Sequence, residues 1–166
     1  MKRLLFFIVS LSLVTFVGCD KSNNNDNPFG NGNYSINING VSYKVSTMIG
    51  SAGGWNEEYE SGGFTLSVLE EHNEGNYVIE YNFFFSSKRM PQVGDNFATM
   101  DLCMEGIYSY NDMYYHQSGS ASITSINSNG SEMIVKFSNL KMVNNDGNSY
   151  TFDGTAPIPF DFYPER

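Results

Sequence analysis

Basic side chains, cysteine, histidine and tryptophan are all in short supply in this chain of 166 residues. Nine Lys and Arg face 18 Asp and Glu, and there are two Cys, two His and one Trp. The formal charge of −9 sets the surface against nucleic acid and anionic headgroups, since every approach works against like charge. Two cysteines cannot supply a disulfide framework. Two histidines leave few routes to acid–base chemistry, and no zinc spacing, phosphate-cradling loop or dinucleotide fingerprint is present. Nothing in the sequence calls for a cofactor or a metal. The longest apolar run, Leu4 to Val17, has 14 residues, short of the 20 or so needed for a permanent helical span. No window sustains a 3.6-residue period, which excludes a helical bundle.

The N-terminus carries an address. Lys2 and Arg3 precede the apolar run, whose only polar members are Ser10, Ser12 and Thr15, and Gly18-Cys19 follows it. A basic end and a short apolar core make the layout of a secretory signal peptide. Phe16-Val17-Gly18-Cys19 has the form of a lipobox. Its chemistry needs a thiol to take a diacylglyceryl group and a small residue, here Gly18, so that the peptidase can close on the bond. The first alanine is Ala52, so an ordinary Ala-x-Ala cleavage site has nowhere to sit. The expected organisation is a signal peptide over 1–18, a lipidated Cys19 with its tether over 19–33, and one domain over 34–166. Loss of Lys2 and Arg3 with the leader leaves seven bases against 18 acids, a charge of −11.

Residues 20–33 are dominated by Asn, Asp, Gly and Ser, with too little apolar surface to offset the entropy of ordering them. Such a tether spans roughly 20 Å on average and about 50 Å when taut. With Cys19 lipidated, Cys103 has no partner in the chain, so the domain has to stand without a disulfide. A chain of this size buries about 68% of its unfolded surface, which is enough. Cys103 itself reads as a buried small hydrophobe.

From residue 34 onward the period is two. Tyr34, Ile36 and Ile38 alternate with polar residues up to Asn39-Gly40, after which Val41, Tyr43 and Val45 do the same. A two-residue type I′ turn at Asn39-Gly40 sets Ile38 opposite Val41, Ile36 opposite Tyr43 and Tyr34 opposite Val45. Further strands are expected at Phe64 to Val68, at Tyr77 to Ser86 with its odd-numbered apolar residues on one face, at Phe97 to Tyr110 and at Tyr114 to Ile126. Met133 to Phe137 forms another, bulged near Asn139 so that Leu140 and Met142 continue it. Pro157 and Pro159 alternate with Ile158, Phe160 and Phe162, and prolines place that segment on an edge. Eight to ten short strands give an all-β fold, an antiparallel sandwich or, as the alternative, a lipocalin-like barrel.

Candidate chemistry is thin. Glu70, Glu71, His72 and Glu74 crowd one hairpin tip without the loop geometry of a metal site, and His116 has neither nucleophile nor orienting acid nearby in sequence. Glu57, Glu58 and Glu60, or Asp101 with Glu105, supply carboxylates of the kind a glycosidase pairs across a cleft. Asp146-Gly147 reads as a hairpin turn. The segment from Ile107 to Gln117 carries more aromatic surface than a core requires. Tyr108, Tyr110, Tyr114 and Tyr115, interleaved with Asn, Asp and Gln, suit stacking on a sugar, and cross-strand pairing in a protruding hairpin explains the same residues. Trp55, in a Gly-rich loop, either joins that surface or plugs one end of the core.

The lipobox at 16–19, the Asn-rich tether, the Ile38-Asn39-Gly40-Val41-Ser42-Tyr43 hairpin, the strand from Gly119 to Ile126 and the closing Tyr150-Thr-Phe-Asp-Gly154 turn together resemble small Bacteroidetes envelope lipoproteins of unknown function. The resemblance implies a lipid-anchored protein of the cell envelope, with the outer membrane the expected location, and transfers no catalytic residue. The expected function is a non-catalytic binding or accessory module for a glycan or a partner envelope protein. A carrier of a small hydrophobic ligand is the rival, and a hydrolase with paired acids ranks third.

Overall fold

The computed structural model describes residues 34–46, 52–72, 75–106 and 112–162. The signal peptide, Cys19, the tether, Tyr108 and Tyr110 lie outside them. Among these described residues nine strands follow in order: β1 Ser35–Ile38, β2 Val41–Val45, β3 Gly53–Asn56, β4 Ser61–His72, β5 Gly75–Ser86, β6 Cys103–Glu105, β7 Met113–Ile126, β8 Glu132–Val143 and β9 Ser149–Asp161. The chain is all-β as expected, with a single 3₁₀ turn at Phe97–Thr99 among the described residues.

The strands form one mixed sheet. Antiparallel ladders run β1–β2–β4–β5–β6–β7–β8–β9, and β9 returns to β1. The parallel contact is between β3 and β9, at Gly53 with Phe160 and Gly54 with Asp161. Walls face each other across one core: Phe83 of β5 meets Phe137 of β8 and Phe152 of β9 with ring centroids at 6.1 and 5.4 Å. Sandwich and barrel share this filled, two-walled cross-section, and here the wall is one continuous sheet.

The first hairpin has the register set by its alternation. Ile38 pairs with Val41 and Ile36 with Tyr43, while Val45 donates its amide to the Tyr34 carbonyl. Asn39 and Gly40 take φ of 53° and 86°, the left-handed pair that a type I′ turn demands. The turn is fixed to β9, because Thr151 donates to Asn39 Oδ1 at 2.8 Å and Asn39 donates back to the Thr151 carbonyl at 2.9 Å. The bulge on β8 also falls where expected. Its register shifts between Phe137 and Leu140, with Asn139 at φ 46°.

Three expectations are corrected. The stretch Phe97 to Tyr110 is not one strand. Asn96 Oδ1 accepts from Ala98 and Ala121, which draws the chain into the 3₁₀ turn, and Asp101 sits at φ 50°, so extended structure resumes only at Cys103. The Gly-rich loop around Trp55 contains a strand, β3, paired with β4 through Trp55 opposite Gly62. Third, the C-terminal segment is central. The Phe160 amide donates to the Ser131 carbonyl of the β8 side, and amide direction alternates along a strand, so Pro157 and Pro159 turn their nitrogens away from β8. On that side β1 ends its pairing at Gly154 and β3 begins at Phe160. The missing amides therefore face a local gap, where a proline costs no ladder bond and discourages strand addition.

Candidate functional site

The ends of β1, β4, β6 and β8 and the starts of β2, β5, β7 and β9, the four connections in chain order, lie at one end of the sheet, as the antiparallel ladders require. Aromatic residues divide along this axis. Phe64, Phe85, Phe97 and Phe160 fill the opposite half, with neighbouring centroids from 4.8 to 6.5 Å apart. Phe83, Phe137 and Phe152 occupy the middle. Towards the four connections the rings become tyrosine: Tyr81 meets Phe152 at 5.1 Å and Tyr150 at 5.7 Å, and Tyr150 meets Tyr114 at 5.1 Å. Phenol oxygens need a polar partner, so a tyrosine layer belongs at the wet end of a core.

Tyr114 belongs to this packed layer and is only 6% exposed. It is therefore not available for stacking on a ligand, a correction to the expected exposed tyrosine hairpin. Its place follows from register: it pairs with buried Met104 on β6, and the alternation that turns Tyr114 inward turns Tyr115 outward. Burial, with the carboxylates of Asp112 and Asp146 nearby, pushes the Tyr114 phenol above its ordinary range. Tyr77, expected on the inner face, is 55% exposed because β5 outruns the core at this end.

Tyr115 is 52% exposed and stands on the outer wall directly opposite Cys103. Together with Thr99, Asp101, Leu102 and His116 these residues line an open groove of about 410 Å³. The 3₁₀ turn and the left-handed Asp101 form one bank, and β6 with β7 the other. His116 is fastened at both ends, its amide donating to the Leu102 carbonyl at 3.1 Å and its Nε2 lying 3.2 Å from the Gly119 carbonyl. Cys103 is half-buried rather than a core residue, and burial, then the Asp101 carboxylate, pushes its thiol up. A thiol held protonated is a poor nucleophile.

Trp55 is outside this groove. It packs against the core from β3, and its indole N–H donates to the Ser87 carbonyl at 2.9 Å. Of the tyrosine and tryptophan candidates, Tyr115 alone among the described residues is both exposed and set in a groove. Glu57, Glu58 and Glu60 are exposed between β3 and β4, and of the Asp101 and Glu105 pair only Asp101 lines the groove. Among the described residues, no three His, Cys, Asp or Glu side chains come together in a way that could hold a metal ion. The meeting of Thr99, Asp101, Cys103, Tyr115 and His116 depends on the turn after Phe97, which periodicity alone does not reveal. The chain matches no family model, no curated protein and no solved structure.

Proposed function

We propose that this chain is a non-catalytic binding module of the cell envelope, held through a lipid on Cys19, with the outer membrane as its location and a glycan as its ligand. The observation that carries the reading is the groove beside Tyr115, where an outward aromatic ring lies among hydrogen-bonding side chains on a wall made rigid by strand pairing. The interior gives less support to a hydrophobic carrier, because an unbroken path of rings from Phe160 to Tyr114 occupies the space a ligand would need. Hydrolysis by paired acids loses support for a different reason. The groove holds a single carboxylate, that of Asp101, and two are required.

The test is a glycan array probed with the full chain in detergent. A reproducible signal for one class of glycan is expected. A blank array, combined with no envelope protein cross-linked to the anchored chain in intact cells, refutes the binding-module reading; a blank array with one defined cross-linked protein transfers the reading to a protein ligand.

A further inference from the structure

We propose that the Tyr115 groove takes one face of a neutral pyranose within a longer polysaccharide, an inference that rests on the binding-module reading and narrows its ligand to one chemical class. The Tyr115 ring is half exposed and carried by a strand paired on both sides, to Cys103 and to Val143, so it presents a fixed apolar plate. The C–H face of a pyranose lies flat on such a plate. The oxygens of two side chains around it accept, beside the weakly donating Cys103 thiol. The Asp101 carboxylate is exposed at the rim. The Thr99 hydroxyl spends its proton on the Asn96 carbonyl at 2.8 Å, leaving its lone pairs outward. His116 Nε2 lies 3.2 Å from the Gly119 carbonyl, which holds its ring in place at the edge of the groove.

A site with a carboxylate and a hydroxyl oxygen as acceptors and no Lys or Arg in its lining suits a ligand that offers hydroxyl donors and repels carboxylate, sulfate or phosphate. The charge of −9 acts in the same direction. Sugars without acid groups satisfy both conditions. The groove is open to solvent rather than enclosed, which leaves room for a chain to continue beyond the sugar it holds.

Affinity electrophoresis of the full chain in detergent, through gels carrying mannan, laminarin, dextran or alginate, tests this. Retardation is expected in at least one of the three neutral polymers and not in alginate, a uronate polymer. Tyr115→Ala should weaken the retarding interaction about tenfold, while Tyr115→Phe keeps it. Asp101→Asn should weaken it too, and asparagine tolerates the left-handed backbone at this position, so the bank stays in place. The retarding polymer should also slow alkylation of Cys103, located by peptide mass spectrometry, in the wild type and not in Tyr115→Ala. Retardation that survives Tyr115→Ala without protection of Cys103 overturns the site and leaves the module reading standing. Preference for alginate overturns the ligand class. No retardation in any neutral polymer overturns the inference, and the array result then decides whether the broader reading falls with it.

Discussion

Phe83→Ala separates a filled core from a ligand chamber. Phe83 is fully buried and touches rings on three other strands: Phe64 stacked at 4.9 Å, Phe152 edge-on at 5.4 Å and Phe137 tilted at 6.1 Å. Removing it deletes the apolar transfer of a whole ring and leaves a cavity that two walls of the sheet cannot collapse to fill. The expected loss is about 3–5 kcal/mol. At about 4 °C per kcal/mol for a domain of this size, the melting temperature falls by about 15 °C. Phe84, its neighbour, is the internal control. It is 44% exposed on the outer wall, against Gly63, and Phe84→Ala should cost less than about 1.5 kcal/mol. Trp55 is the sole tryptophan and bonds to Ser87 at the end of β5, so its fluorescence reports the unfolding of the strand under test. Urea titration of the full chain gives both values, and an unchanged slope against urea shows that the unfolded states are comparable. A Phe83→Ala loss as small as that of Phe84→Ala would refute the filled core and return the carrier to consideration.

Glu132 is buried on β8 with its Oε2 lacking a hydrogen-bond partner, and burial raises its carboxyl above the ordinary value of 4.5. The native state thus binds this proton more tightly than the unfolded chain, so stability falls as pH rises from about 4.5 through the raised value; Glu132→Gln should flatten that fall in pH-dependent melts, with Glu80, raised by burial in the same direction, retaining a share. Gly119 sits at φ 80° where a Cβ would strike the Asn139 carbonyl across the bulge, so Gly119→Ala should cost about 2–4 kcal/mol in urea titration, and an effect below about 0.5 kcal/mol would contradict the close approach. Cys19→Ser should abolish incorporation of labelled fatty acid and release the protein from membranes, and equal membrane retention of variant and wild type would refute lipidation.

The parts of the fold legible in the sequence are those whose cause is local. Asn39-Gly40 specifies a left-handed pair, and the alternation on either side then sets register without reference to the rest of the chain. The bulge at Asn139 was legible because Phe137 and Leu140 break the period by one residue, and that shift has few structural solutions. By contrast, β3 consists of Gly53, Gly54, Trp55 and Asn56, with no alternation to read. It is a strand because β4 and β9 offer it edges. Pro157 and Pro159 were expected to forbid a central strand, whereas each removes a ladder bond on one side only. Placing the segment on the edge of the sheet did not follow, because a central strand also has a free side wherever its neighbour ends.

The same distinction explains what was legible of the site. A run rich in tyrosine signals aromatic surface, yet which ring is solvent-facing depends on parity, and parity depends on the register with β6. One residue of shift would exchange Tyr114 and Tyr115. The β7–β8 ladder, in which Tyr115 faces Val143, shares in fixing that parity, and Asn96 ties the 3₁₀ turn ahead of β6 to Ala121 of β7. The amide of Asn96 therefore positions the groove although it lines none of it. Its loss would free both the turn bearing Thr99 and the start of β6, moving the acceptors away from the Tyr115 ring while the ring itself stayed on β7. The core beneath shares this turn, because Phe97 within it is fully buried and packs against Phe64 and Phe85 with ring centroids at 4.8 Å. Asn96 thus holds a single turn that carries both a ring of the core, Phe97, and a lining residue of the groove, Thr99.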